Sequence, residues 1–316
     1  MTFFLRSFFQ KIMTLFIVSV LSFLIIHLAP GDPNQIDPTN PKFTKEAIEQ
    51  YRKEFHLDEP IYKQYAYFYR DLFTGNLRSW RDEQPVFAKI FERFLNSLPL
   101  FILGTLLTWT LAFPVGINAA IRRGGAYDRT TTFLSYLLIS VPGFFLAYIM
   151  IIFAVKYLHV SVIGMQTPGV EGLPGLMDRV WHMVLPSILG ATGGIAVLSR
   201  YVRAQMLEVS RQDYVRTARA KGLPQDSVYY RHALRNALLP FVTMFGLILP
   251  GLIGGSVIIE FIFAWPGMGR LAYDALVARD MPIVLGLNFL AAVLVLAGTF
   301  ISDVLYMLVD PRIKYD

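Results

Sequence analysis

The chain contains no cysteine in its 316 residues. That excludes disulfides, thiol catalysis and any thiolate metal site. Charge is scarce as well: Asp, Glu, Lys and Arg together make up 16% of the residues, low for a soluble domain. No GxxxxGK(S/T) stretch occurs, so the chain has no Walker-type nucleotide site. It also lacks GxSxG, HExxH, a dinucleotide-binding fingerprint and a pair of carboxylates in a plausible cleft. The 5 histidines are scattered without ligand spacing, so no metal site is expected. The net charge of +6 is modest, and its cations sit in short loops without interleaved aromatics. This excludes a nucleic-acid-binding domain and points instead to membrane topology.

Apolar residues, by contrast, make up 54% of the chain, and the mean hydropathy is +0.47. These values describe an all-α polytopic membrane protein. A spanning helix needs about 20 mostly apolar residues. Six runs qualify, near residues 9–28, 98–121, 130–158, 181–201, 241–263 and 283–308. The first follows Arg6 and Lys11 and has a poor cleavage site at Leu28-Ala29-Pro30-Gly31, so it is expected to stay as an anchor. The second contains Pro114 and the third Pro142-Gly143, breakers that a bundle tolerates when neighbours re-satisfy the backbone. Arg6 and Lys11, Arg122, Arg123 and Arg129, the basic island over 200–235, and Arg312 and Lys314 then all fall on one side. By the positive-inside rule both termini are cytoplasmic.

Between the first two runs lies an outside segment. It leaves the membrane through Pro30-Gly31-Asp32-Pro33, then offers an amphipathic helix from Thr44 to Phe55 and a second from Ile61 to Phe73. Residues 159–180 read as an irregular outside loop.

The most informative stretch is Gln212 to Pro240. Arg216, Arg219, Lys221, Arg231 and Arg235 face only Asp213 and Asp226, between two long apolar runs. Tyr214 to Lys221 is compatible with a helix, Gly222-Leu223-Pro224 ends it, and Asp226 to Leu239 is compatible with a second. Val215, Ala218 and Lys221 recur every third residue, which leaves small residues for close backbone approach and cations for carboxylates on a partner. That pattern describes a cytoplasmic docking knob. By spacing alone it describes equally well a basic loop that only sets topology.

Tyr-Val-Arg-Thr-Ala-Arg-Ala-Lys-Gly-Leu over 214–223, with Arg-His-Ala-Leu-Arg-Asn-Ala-Leu-Leu-Pro over 231–240, resembles the cytoplasmic signature of ATP-binding-cassette (ABC) importer permeases. The resemblance is closest to the dipeptide and oligopeptide permeases of the first-subunit type. Arg216, Thr217, Ala218 and Gly222 stand at the Glu-Ala-Ala-x-x-x-Gly positions of the general consensus. Arginine for glutamate, and the distant Leu239-Pro240, both mark the peptide-permease branch. Leu28-Ala29-Pro30-Gly31-Asp32-Pro33, Leu57-Asp58-Glu59-Pro60, Phe263-Ala264-Trp265-Pro266-Gly267-Met268-Gly269-Arg270, and Asp303, Tyr306, Asp310, Pro311, Arg312 and Ile313 are similar to blocks of the same family. The segment His159 to Met165 departs from its Leu-Pro-x-Ser-Gly pattern.

The resemblance implies a type I importer permease fold. Its parts would be an N-terminal transmembrane helix (1–29), an extracytoplasmic helical subdomain (30–95), a five-helix permease core (96–308) holding the coupling segment 212–240, and a cytoplasmic tail (309–316). Tyr214, Arg216, Thr217, Ala218, Arg219, Lys221 and Gly222 would dock an ATPase. The implied partners are a second homologous permease forming a heterodimer, two cytoplasmic ABC ATPases, and an extracytoplasmic solute-binding protein delivering peptide. ATP and Mg2+ would be held by the ATPases, with no cofactor on this chain. The setting would be the cytoplasmic (inner) membrane of a bacterium or archaeon, in a lipid bilayer.

Residues that could line a path are Pro142, Gly143, Ser256, Glu260 and Asn288, although each has an ordinary packing or interfacial reading too. Trp265, Pro266, Gly267 and Asp303 are expected to be structural: Trp265 suits an interface, Pro266-Gly267 turns the chain, and Asp303 pairs at the membrane surface. Competing classes are an ion-gradient-driven secondary transporter, an intramembrane enzyme, and an ABC permease for a nickel chelate, glutathione or an oligosaccharide. A secondary transporter usually shows repeats and midplane charges, and neither is evident here.

Overall fold

The structure is a computed structural model that describes residues 2–28, 49, 52–53, 56–224, 227–246, 248–249, 251–254 and 257–309. The expected helix from Thr44 to Phe55, Ser256, the Asp310–Ile313 motif and the tail fall wholly or mostly outside these residues. Among the described residues there is no strand, only an isolated bridge between Arg78 and Pro85.

Among the described residues four helices are long and apolar enough to cross a membrane: Ser7–Leu28 (within α1, Thr2–Leu28), α3 (Val86–Ile121), α6 (Gly172–Val209) and Met281–Leu305 within the last described helix. A fifth crossing is available if α4 (Ala126–Ser140) and α5 (Gly143–Tyr157) form one broken span. The expected span over 130–158 is bent by 98° at Val141-Pro142, beside the Pro142-Gly143 breaker that the sequence holds. Each arm is about 22 Å long at 1.5 Å per residue, too short to cross an approximately 30 Å core alone. The run over 241–263 is likewise not one helix. It comprises Leu239–Gly246 (α9), Gly251–Gly254 (α10) and Val257–Ile262 (α11), and Met268–Val277 (α12) follows it in the chain. Its sequence holds Pro250 and glycines at 246, 251, 254 and 255, all of which weaken a helix interior.

The chain divides into two compact units. One comprises Met1–Phe94, Leu271–Ala297 and Tyr315–Asp316, and the other Leu95–Arg270 and Gly298–Lys314. In the first, Pro60 presets the start of α2 (Ile61–Thr74), and Gly75 at φ 75° ends it by returning its N–H to Asp71 and Leu72 carbonyls. Phe23 of α1 is buried against Tyr65 and Phe68 of α2. The Ser19 and Tyr65 hydroxyls are 2.7 Å apart. The Gln64 amide donates to the Leu57 and Glu59 carbonyls, leaving its oxygen for Nε2 of His27 at 2.8 Å. Asp280, just before the last described helix α13 (Met281–Val309), is buried and accepts the Ser79 hydroxyl and, at 3.1 Å, the Trp80 N–H.

The second unit has its core at the base of the bundle. Ala112, Ile117 and Ala120 of α3 and Leu198, Val202 and Met206 of α6 meet there, and Gly116 is needed because a Cβ would collide with Val202 and the Ser199 carbonyl. Buried Asp128 ties α4 to α6 through a two-pronged pair with Arg203, Nε to Oδ1 at 2.5 Å and Nη2 to Oδ2 at 2.8 Å. The same carboxylate accepts the Gly124 N–H at 2.9 Å, which fixes the turn between α3 and α4.

Candidate functional site

The basic stretch forms helix α7 (Asp213–Ala220), and Gly222 at φ 75° turns the chain after it. The expected second α-helix differs from its expectation. Val228–Ala233 is a π-helical turn, followed by a short α-helix at Leu234–Ala237 (α8). The wider i→i+5 turn places Val228, Tyr229 and Ala233 on the same inward side, where all three are buried.

α7 divides cleanly between two faces. Val215 is 0% and Ala218 6% exposed, and both pack into the base core with Met206, Val228 and Tyr229. The small residues therefore serve the chain's own packing and leave the outward face to others. Arg219 also turns back: its guanidinium lies 5.5 Å from the Tyr229 ring and donates to the Tyr229 hydroxyl at 3.2 Å. Tyr214, Arg216, Thr217, Lys221, Gly222 and Leu223 remain exposed. Among the described residues Arg216 pairs with Asp213, at 3.7 Å on a largely exposed surface, a pair worth little. The result is an exposed cationic face with aromatic and aliphatic edges, fixed to the two longest helices through a continuous core.

A second constellation surrounds Glu260 at the end of α11. Glu260 is 0% exposed and sits inside the Trp265-Pro266-Gly267 loop. Its Oε1 accepts the Ser97 hydroxyl at 2.6 Å, and its Oε2 accepts the Arg270 N–H at 2.9 Å. Ser97 Oγ also accepts the Met268 N–H at 2.7 Å. Trp265 is buried within the chain, and its indole N–H donates to the Asn96 carbonyl at 2.9 Å. The Asn96 amide in turn donates to the Pro266 carbonyl at 3.0 Å. A Cβ on Gly267 would overlap both the Glu260 carboxylate and Ser97 Oγ, so only glycine lets the loop close. Glu260→Ala strands the Ser97 hydroxyl and the Arg270 amide and leaves a void. The expected loss is about 3 kcal/mol or more, against about 1–2 kcal/mol for Glu260→Gln. Thermal unfolding of the purified protein in detergent measures both, and equal stability of the three proteins would contradict this role.

A half-open cavity of about 320 Å³ lies among α3, α6 and the 248–259 stretch. Ser97, Gly104, Thr108, Ser187, Gly190 and Ile259 are part of its wall. None of the described path candidates lines it. Pro142 and Gly143 are exposed at the corner of the 98° bend, and Glu260 lies within its loop. Asn288 is exposed on α13, and Asp303 is half-buried near that helix's end. Ser302, beside Asp303, makes the clear contacts: it accepts the Gly246 N–H and donates to the Val242 carbonyl, each at 3.1 Å. Asp128, Arg203, Ser97 and Ser302 were not legible as site residues in the sequence. Their partners lie tens of residues or more away, with no local pattern to mark them.

The family model described as binding-protein-dependent transport system inner membrane component matches residues 112–315. Its N-terminal companion matches residues 1–101. The oligopeptide transport system permease protein AppB of Bacillus subtilis is 39% identical over 303 residues, covering 94% of each chain. The dipeptide transport system permease protein DppB of Escherichia coli K12 is 34% identical over 319 residues, again covering 94% of each. The glutathione transport system permease protein GsiC of another E. coli strain is 36% identical over 306 residues, covering 96% of this chain and 95% of that one. Among solved structures, the inward-facing MetNI methionine ABC transporter superposes with a TM-score of 0.54 at 19% identity, over 72% of this chain and 99% of that one. The fold is thus that of an ABC importer permease.

Proposed function

Because the chain belongs to the family of binding-protein-dependent transport system inner membrane components, we propose that it is one of two permease subunits of an ABC importer for di- and oligopeptides. The observation that carries the substrate class is similarity along almost the whole chain to an oligopeptide and a dipeptide permease. The glutathione permease relative fits the same class, since glutathione is itself a small peptide.

On this reading the chain is non-catalytic. A homologous permease completes the pathway, and both termini face the cytoplasm. Two ATPases hold ATP and Mg2+, and one of them seats on the outward face of α7. A solute-binding protein delivers peptide on the other side. ATP binding draws the ATPases together. The load reaches the bundle through Val215, Ala218, Val228 and Tyr229, which pack against Val202 and Met206 of α6. A docking helix keyed into the core moves with the long helices, whereas a loose basic loop would absorb the motion. The bundle then alternates between inward- and outward-open states, each stabilised by different ligands.

Reconstitution in proteoliposomes with the second permease, the ATPases and the binding protein tests this. Peptide uptake should require ATP and stop when the binding protein is omitted. Accumulation of a nickel chelate or oligosaccharide in place of peptide would overturn the substrate class. Uptake driven by an ion gradient without ATPases would overturn the whole reading.

A further inference from the structure

We propose that the seam between α4 and α6 binds the phosphate of an anionic phospholipid through Arg200 and Arg129, in the leaflet on the Arg122-Arg123 side. The site goes beyond the peptide-importer reading and takes from it only the topology that makes this leaflet cytoplasmic.

Two contacts define the seam and show that the helices run antiparallel. Asp128 of α4 meets Arg203 of α6, and Tyr136, two turns further along α4, meets Arg200, one turn back along α6. The Arg200 guanidinium lies 4.1 Å from the centre of the Tyr136 ring and donates to its hydroxyl at 2.9 Å. A ring face and a hydroxyl hold an arginine in place without cancelling its charge. Arg122 is held in a similar manner, 5.4 Å from the Tyr127 ring. Asp128 is the only acidic residue between 95 and 170, and Arg203 takes it. Among the described residues Arg122, Arg123, Arg129 and Arg200 have no carboxylate partner. Arg200 stands at the end of the apolar run over 181–201, where a charge without a counter-charge is unfavourable.

The surroundings match a phospholipid. Arg129, Phe133 and Tyr136 share one face of α4 by their spacing of four and three, and all three are exposed. A phosphate between Arg129 and Arg200 meets a guanidinium from each helix. Further into the membrane, Ile139 on α4 and Val197 on α6 are exposed and apolar, as contact with acyl chains requires. The groove beside the seam, walled in part by Thr132, Ser199 and Arg200, holds only about 10 Å³, so the headgroup rests on the surface without entering it. Basic residues at the cytoplasmic ends of spans attract anionic headgroups. Tyr136 lies about 12 Å along α4 from Asp128, at 1.5 Å per residue. A soluble partner can reach the turn at Arg122 and Arg123, whereas lipid reaches the height of Arg200 as well.

The test uses the full-length chain, extracted in mild detergent with its partners and supplied with phosphatidylglycerol and phosphatidylcholine in equal amounts. Native mass spectrometry counts the lipid retained. One arginine beside an anionic headgroup is worth about fivefold in affinity, so wild type should prefer phosphatidylglycerol by about twentyfold. Arg200→Gln should cut that preference about fivefold, and Arg200→Gln with Arg129→Gln should remove most of it. Arg179→Gln removes an exposed arginine near the opposite end of α6 and should leave the preference unchanged. No preference in wild type, an unchanged preference in Arg200→Gln, or an equal fall in Arg179→Gln would overturn the site. Loss of ATPase co-purification by Arg200→Gln in phosphatidylcholine alone would also overturn it, because the arginine would then serve a protein carboxylate. A second measurement needs no variant. Phosphatidylglycerol with a photoreactive group in its acyl chain, irradiated with the wild-type protein, should crosslink to residues 133–139 or 193–200. Crosslinks confined to other segments would reject the site. A complex that retains lipid as expected but moves no peptide would overturn the importer reading and leave the lipid site standing.

Discussion

Gly298→Val will leave no stable permease in the membrane. Gly298 of α13 and Gly246 of α9 bring two backbones into direct contact: a Cβ on Gly298 would overlap the Gly246 carbonyl oxygen, and a Cβ on Gly246 would overlap both the Gly298 carbonyl and Ser302 Oγ. Ser302 fastens the same junction by bonding the Gly246 N–H and the Val242 carbonyl. In a bilayer there is no hydrophobic drive between helices, so close approach and such bonds hold the contact. Even alanine at 298 must push the helices apart, and valine removes the junction and the bonds with it. The expected loss exceeds about 4 kcal/mol, at the severe end for one substitution and a large share of the roughly 5–15 kcal/mol by which a typical fold is stable. Size-exclusion profiles of detergent-solubilised protein, before and after heating, measure this. Gly193→Ala is the matched control, since a Cβ there meets nothing within 4 Å. A monodisperse Gly298→Val peak with wild-type yield would refute the junction.

Much of this architecture was readable in the residues, and the failures share a cause. Pro60 and Gly75 bracket the helix at Ile61–Thr74 because their effects are local. Gly222 ends the docking helix for the same reason. Pro142-Gly143 marked a break within the span over 130–158, but only packing sets the 98° angle. The apolar run over 241–263 read as one span because hydropathy averages over the glycines that divide it. Trp265 read as interfacial because amphipathic rings favour that layer. Its burial depends on the Asn96 carbonyl, 169 positions away. Glu260 read as a group near the end of its span because Ser97, its main partner, is 163 positions distant. Ala218 shows the limit most clearly. A surface that docks a partner and a surface that packs on its own core both want small residues. No spacing in an eight-residue helix distinguishes them.

That distinction governs how the docking face must be tested. Reversing Arg216 and Lys221 together to glutamate should abolish stable association with the ATPase and reduce peptide uptake by about a hundredfold or more. Both side chains are exposed and outside the base core, so the fold has little reason to respond. Losing two interfacial charge pairs, and meeting carboxylates with carboxylates, costs several kcal/mol at a docked surface. Unfolding temperature should stay within a few degrees of wild type. Ala218→Trp must behave in the opposite order. The indole would be driven into Met206, Val228 and Tyr229, so the permease should lose stability first and ATPase association only as a consequence. Co-purification of the ATPase, read beside the unfolding temperature of each variant, separates the two faces of α7. Reciprocal Lys substitutions at acidic positions of the ATPase should restore uptake to the charge-reversed permease and do nothing for Ala218→Trp. Normal assembly and uptake in the charge-reversed permease would mean that the basic stretch sets topology alone, and that the ATPase grips this chain elsewhere.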